Sequence, residues 1–406
     1  MIIDRTTRIS QTALAVLLIA GFIVSAFHAN AQDWPLSLRL ADTIITIWKD
    51  YPGATPNRAA RWTYEQGVVL RGMEEVWKQT HDGRYYDYIQ QTMDRYVTDD
   101  GTIRTYRAEE YQLDNILLGR MLLFLYKETK QEKYHKAADL LREQLRKQPR
   151  TTEGGFWHKQ IYPSQMWLDG LYMAGPFYAE YARTFHEDAD FDDIANQFIL
   201  AERHTRDPKT GLLYHGWDES KKQRWADTAT GHSPNFWGRA MGWYAMALVD
   251  TLDYFPPNHP QRSALIAILK RLAAAIAKYQ DEKAGLWYQV VDRAGATGNY
   301  FESSAAAMFV YALAKGGREN YLPASYSRLA AKGYRGMQNE FIQTRADGMV
   351  DFKGTVSVAG LGGSPYRDGS YEYYLSEKVV TNDPKGVGAL LLAATEMDRS
   401  PVKRKR

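Results

Sequence analysis

The sequence predicts an all-α fold, an (α/α)6 barrel, and three observations predict it. Twelve stretches repeat apolar residues at helical spacing. They alternate in kind. Met166 to Tyr181 and Phe236 to Leu252 are apolar nearly all round, as helices buried on both sides are, whereas Tyr134 to Lys147 is amphipathic. A Gly-aromatic turn also recurs, at spacings of roughly 55 to 80 residues that suit helical hairpins better than shorter repeat units. Six buried and six half-buried helices in alternation close naturally into a ring.

In chain order, the expected helices 36–51, 61–80 and 85–97 come first. Gly101 with Tyr106 then precedes 114–130 and 134–147, and Gly154-Gly155-Phe156-Trp157 precedes 167–184 and 191–204. Gly211-Leu212-Leu213-Tyr214 leads into 236–254 and 262–279, where Ala264, Leu265, Ile268, Leu269, Leu272 and Ile276 form a plain helical stripe. Gly285-Leu286-Trp287-Tyr288 leads into 302–315 and 321–342, and Gly348-Met349 with Phe352 precedes 382–397. No proline- or serine-rich linker interrupts the run, so residues 32–400 read as a single domain.

Residues 1–31 read as a secretory signal: Arg5 and Arg8, an apolar core from Thr12 to Val24, and an Ala29-Asn30-Ala31 cleavage site, which puts the mature start at Gln32. The apolar core is too short for a comfortable membrane span. Thus the expectation is a periplasmic or secreted protein with no membrane attachment after cleavage. The chain has no cysteine, hence no disulfide, and a large core needs none. A net charge of +3 gives no argument for nucleic acid. Lys403 to Arg406 form a short basic tail, 401–406, expected to be disordered. Eleven Trp and 28 Tyr are many for 406 residues, a density that suits packing and carbohydrate clefts alike.

In such a barrel the loops entering the inner helices share one end. The residues gathered there are Trp62 and Tyr64, Asp114, His158 and Lys159, Asp169, His215, and Trp237, Arg239 and Trp243. Asp169 stands alone among Met166, Trp167, Leu168, Leu171, Tyr172 and Met173. An acid in such company is buried with a partner or held on a pocket floor, where desolvation favours the neutral form. Two carboxylates, Asp114 and Asp169, facing one site are what glycosidic bond chemistry usually employs. Arg239 offers a planar fork for a carboxylate, and the rings offer stacking faces. Each residue also has a plainer role open to it: Asp114 and Asp169 as helix caps, Trp237 and Trp243 as core, His215 as a satisfied loop histidine, Arg239 as a partner of Asp114. No zinc spacing and no G-x-S-x-G elbow occurs, so neither a metal site nor a serine-nucleophile elbow is expected. The loop Gly360-Leu361-Gly362-Gly363-Ser364 reads as a mobile flap at the pocket mouth.

The segments GGFWHKQIYPSQMWLDGLYMAGPF, TGLLYHGWDES, SPNFWGRAMGWYAMALVD, GLWYQVVD with ESSAAAM, and TNDPKGVGALLLA resemble the unsaturated rhamnogalacturonyl hydrolases, glycoside hydrolase family 105. The likeness runs through nearly all of the chain beyond residue 31. It implies an (α/α)6 barrel, no cofactor, and a substrate that is an oligosaccharide ending in a 4-deoxy-4,5-unsaturated uronic acid. It further implies that Asp169 protonates C4 of that ring and helps deprotonate the water added at C5, with Asp114 as the second acid. His215, Trp237, Arg239 and Trp243 match sugar-binding positions, and Lys159, Trp62 and Tyr64 do so more loosely. The related unsaturated glucuronyl hydrolases of family 88, an enzyme on ulvan fragments, a carbohydrate-binding barrel without turnover, and a mannanase or epimerase are the competing readings.

Overall fold

The computed structural model describes residues 34–55 and 59–399. The expected signal segment and basic tail lie outside the described residues. Twelve long helices are found among the described residues: α1 (Leu36–Ile47), α2 (Tyr64–Thr80), α3 (Gly83–Asp94), α4 (Gly119–Thr129), α5 (Glu132–Lys147), α6 (Leu168–Phe185), α7 (Asp190–Thr205), α8 (Gly238–Leu252), α9 (Arg262–Lys278), α10 (Ser303–Arg318), α11 (Ser325–Glu340) and, after the short α12 (Tyr371–Ser376), α13 (Pro384–Arg399).

Helices α2, α4, α6, α8, α10 and α13 form a closed inner ring, each touching the next and α13 returning to α2. Helices α3, α5, α7, α9 and α11 each pack outside the inner helix that precedes them, and α1 packs on α13. The expected (α/α)6 barrel is the observed fold. Inner helix α8 is buried at every residue, while the outer α5 buries one face: Tyr134, Ala137, Ala138, Leu141 and Leu145. The ring's seam closes backbone to backbone. A side chain at Gly388 of α13 would meet the Val68 and Val69 main chain of α2 at 2.7 Å, so only glycine permits that approach. Lys385 ties the same seam to Glu65 at 3.2 Å, and the Ser37 hydroxyl donates to Asp398 Oδ2 at 2.5 Å.

The recurrent turns carry the chain from each outer helix to the next inner one. All five glycines adopt positive φ (Gly101 90°, Gly154 93°, Gly211 77°, Gly285 73°, Gly348 84°), the left-handed conformation such turns require. The flanking residues then pair as short antiparallel bridges, Val97 with Ile103, Arg150 with Phe156 and Arg206 with Leu213, and as β3 (Ile342–Thr344) with β4 (Val350–Phe352). Two further ribbons, β1 (Gln165–Trp167) with β2 (Gly216–Asp218) and β5 (Thr355–Val356) with β6 (Val379–Val380), brace the end where the inner helices begin.

Deeper in the ring the inner helices meet through charge. Asp250 of α8 accepts from Arg120 Nη1 of α4 at 2.7 Å, from Lys315 Nζ of α10 at 2.7 Å and from the Tyr311 hydroxyl at 2.6 Å. Arg120 also reaches Glu180 of α6 at 3.0 Å. On α2, Arg71 pairs with Glu74 at 3.1 Å and with Glu75, which in turn meets Arg399 of α13. These side chains plug the lumen, and buried charges persist there because each has a partner.

Two expectations are corrected. The stretch expected to be helical from residue 114 opens instead with a 3₁₀ turn, Leu113–Asn115, and α4 begins at Gly119. The glycine loop at 360–364 is pinned rather than a flap. Leu361 is fully buried with Trp167, Trp225 and Ala226, and Arg367 donates to the Gly362 carbonyl at 2.8 Å and to the Tyr162 hydroxyl at 2.7 Å.

Candidate active site

The loop ends at the start of the inner helices bring the expected residues together. Asp169 is the second residue of α6, and the β1–β2 ribbon immediately before it fixes the helix entry by pairing Trp167 with Gly216. Next to that pairing, the Leu168 amide donates to the His215 carbonyl at 3.0 Å, which seats His215 beside Asp169. The Asp169 carboxylate does not cap the helix; Trp167 occupies the cap position without a side-chain bond. Its Oδ2 lies 3.1 Å from His215 Nε2. Both atoms are buried, the alignment is not that of a hydrogen bond, and neither has another protein partner among the described residues. On its other side His215 Nδ1 meets the Tyr374 hydroxyl at 2.8 Å.

Asp114 sits in contrasting company. Lys159 Nζ lies 2.6 Å from Oδ2, and His158 Nε2 lies 3.5 Å from Oδ1. Burial alone would raise the Asp114 carboxyl, but Lys159 and then His158 hold it below the usual carboxylate range, so it is an anion at neutral pH. Burial pushes His158 down to about 4, which leaves its ring neutral. The same ring stacks on Trp167 at 4.5 Å, and Trp167 meets His215 edge-on at 5.5 Å, so one aromatic wall joins the two carboxylates. The glycine after Asp169 permits this closeness: a Cβ at Gly170 would stand 3.0 Å from Leu113 and 3.1 Å from His158 Nδ1.

The aromatic and basic candidates divide by exposure. Trp237 and Trp243 are each 1% exposed. Trp237 stacks on Tyr374 and donates its indole N–H to Gln289 at 3.1 Å, and Trp243 stacks on Tyr172 at 5.1 Å. They are packed into the protein interior rather than presented as open stacking faces. Trp62 is likewise buried, its indole N–H donating to the Asn115 carbonyl at 2.7 Å. Tyr64 remains half-buried, edge-on to Trp243 at 6.2 Å. Beside it opens a cavity of about 340 Å³, lined among others by Arg61, Trp62, Tyr64, Arg107, Gln112 and Asp114. Arg239 is not paired with Asp114. Its Nη1 donates to the Val356 carbonyl at 2.7 Å and to Ser304 at 3.2 Å, and its guanidinium lies 5.0 Å from the Trp237 ring. Ser304 in turn donates to buried Glu302, which places a counter-charge behind Arg239. The fork expected to meet a carboxylate has one arm already anchored on the strand β5.

Tyr374, Trp167 and Arg367 were not among the expected site residues. Trp167 is recognisable afterwards, as the aromatic two residues before Asp169. Tyr374 and Arg367 carry no such signal, because they reach the site from a segment 159 and 205 residues away from their respective partners His215 and Tyr162. Among the described residues, no group of three or more His, Asp or Glu side chains is placed to hold a metal ion.

The sequence model of Glycosyl Hydrolase Family 88 matches residues 37–400. A family 105 glycoside hydrolase of C. acetobutylicum ATCC 824 superposes with a TM-score of 0.87 at 48% identity, covering 90% of this chain and 99% of that one. The chain belongs to the family 88/105 glycoside hydrolases. This family 88/105 enzyme is 42% identical over 230 residues to protein Atu3128 of Agrobacterium fabrum (strain C58 / ATCC 33970), covering 55% of this chain and 97% of that protein. It is 29% identical over 263 residues to the unsaturated rhamnogalacturonyl hydrolase YesR of Bacillus subtilis (strain 168), covering 63% of this chain and 71% of YesR. An unsaturated glucuronyl hydrolase from Bacillus sp. GL1 shares the fold, with a TM-score of 0.65 at 13% identity.

Proposed function

We propose that this glycoside hydrolase removes a 4,5-unsaturated uronic acid from the non-reducing end of lyase-generated oligosaccharides. The preferred substrate is an unsaturated galacturonyl-rhamnose from rhamnogalacturonan. The observation that carries the reading is the contrast between two carboxylates on one aromatic wall: Asp114 tied to Lys159 as an anion, and Asp169 with one buried oxygen against His215 and its side chain 14% exposed. Two acids in opposed surroundings divide the work of proton donor and anion.

In this mechanism the Asp169 carboxylic acid gives its proton to C4, and positive charge develops at C5 beside the ring oxygen. Water adds at C5 and its proton returns to Asp169, restoring the acid. The C5 hemiketal opens to a ketone, leaving a hemiacetal at C1 that collapses and expels the next sugar as an alcohol. One water is consumed. The Asp114 anion orients the water and ring hydroxyls, and the cavity beside Tyr64 and Arg61 receives the following sugar.

A panel of lyase products read by loss of absorbance at the unsaturated-uronate band tests the substrate. Unsaturated galacturonyl-rhamnose is expected to give the highest kcat/KM, ahead of an unsaturated glucuronyl-rhamnose from ulvan and an unsaturated glucuronyl-hexosamine. A reversed order would assign a glucuronyl specificity. We also propose that the enzyme is exported to the periplasm or beyond, on the Arg5, Arg8 and Ala29-Asn30-Ala31 pattern. The intact mass of the exported protein is expected to correspond to a start at Gln32, and retention of Met1 would refute it.

A further inference from the structure

We propose that Tyr374 is a positioning residue for the reaction, acting through His215 to assign different tasks to the two oxygens of Asp169; this rests on the reading of Asp169 as the acid. Three polar groups stand in line: the Tyr374 hydroxyl, 2.8 Å from His215 Nδ1, and His215 Nε2, 3.1 Å from Asp169 Oδ2. Tyr374 and His215 are fully buried, and neither Nε2 nor Oδ2 has another protein partner among the described residues. Burial holds the Tyr374 phenol well above its ordinary range, so it keeps its proton.

Among the described residues the hydroxyl contacts His215 Nδ1, which we take as its acceptor. A ring nitrogen that accepts there puts the imidazole proton on Nε2, since the bond made by one nitrogen sets the state of the other. The Nε2–H then stands 3.1 Å from Oδ2, out of hydrogen-bond alignment but close enough to disfavour a proton on that oxygen. Oδ2 is buried, so the exposed part of the Asp169 side chain includes the other oxygen, Oδ1, which becomes the one that carries the proton to C4 and takes it back from water. Without the Tyr374 hydroxyl, His215 is free to present a bare Nε2, which would draw the Asp169 proton onto Oδ2 and away from the substrate. The short helix α12 exists to place this hydroxyl: its Ser370 cap accepts from the Tyr373 amide at 3.1 Å, Gln289 donates to the Tyr374 carbonyl at 3.1 Å, and Trp237 stacks on the phenol ring at 5.9 Å. His215 thereby acts on the acid rather than on the sugar.

The test is a double-mutant cycle with Tyr374→Phe and His215→Gln, assayed on the unsaturated disaccharide. Tyr374→Phe is expected to lower kcat on the order of tenfold, the loss of one buried hydrogen bond, with KM unchanged. In His215→Gln the amide N–H reaches Asp169 without help from Tyr374, so adding Tyr374→Phe is expected to cost nothing further. An equal tenfold loss in both backgrounds would overturn the proposal. Nitrogen shifts of His215 in histidine-labelled wild type give an answer that needs no variant: a bare Nδ1 with Nε2 protonated is expected, and a protonated Nδ1 would overturn it. Should Asp169→Asn retain full turnover, the reading of the acid fails, which these His215 measurements do not depend on.

Discussion

Asp169→Asn is expected to leave a folded protein that still binds the unsaturated disaccharide while turnover falls by about 10² to 10⁴, the usual contribution of a general acid. Folding survives because α6 draws no cap from this side chain and Asn has the same shape. Catalysis does not survive, because an amide cannot deliver a proton to carbon, and no neighbour replaces it. Asp114 is held as an anion by Lys159, and His158, neutral above about pH 4, stands with its Nε2 3.5 Å from Asp114. In heavy water the wild-type product should carry deuterium at C4. Near-normal turnover by Asp169→Asn, or a product unlabelled at C4, would mean ordinary glycosidic cleavage or a different acid.

The second large effect is on stability. Asp250→Ala is expected to destabilise the barrel by about 3–5 kcal/mol, the range for breaking a buried ion pair from one side, because Arg120 and Lys315 are then left charged without their shared partner. Urea unfolding would show it as a lowered midpoint. The pH dependence has a definite sign. Burial would raise Asp250, but Lys315, Arg120 and Arg71 push its carboxyl far below the ordinary range. A depressed folded-state pKa contributes stability that is complete above the ordinary carboxylate range and lost as pH falls toward the folded value. Wild type should therefore lose stability in acid more steeply than Asp250→Ala. An unchanged midpoint in the variant would mean that the plug is dispensable.

The barrel was legible because its determinants are local. A helix buried all round, such as Phe236 to Leu252, announces itself by lacking a polar face, and a Gly-aromatic turn marks each return by needing positive φ at one residue. The grouping of Asp114, Lys159, Asp169, His215 and Trp237 followed from that geometry, since all lie where inner helices begin. What stayed hidden depends on contacts distant in sequence. Gly360 to Ser364 looks like a flap because glycines read as freedom, yet Arg367 and buried Leu361 fasten it to Tyr162 and Trp167. Tyr374 sits in a run of tyrosines with nothing to single it out until α12 places it under His215. Arg239 looks like an open fork until Val356 and Ser304 are seen to hold one arm.

The seam between α2 and α13 has a temporal meaning. Every other junction of the inner ring joins neighbours in the chain, whereas this one joins the first inner helix to the last, as does the Lys385–Glu65 pair. The Ser37–Asp398 bond, spanning 361 residues, ties the outer α1 to the same final helix. During synthesis the early hairpins can stack one upon another, but α2 keeps an apolar flank open to solvent until α13 arrives to cover it. A pairing so remote is slow to find and exposed while it waits. The ring closes only when the final helix is in place, and that closure reaches the pocket rim, because Lys385, itself paired with Asp383 at 3.0 Å, meets Glu65, the residue after Tyr64.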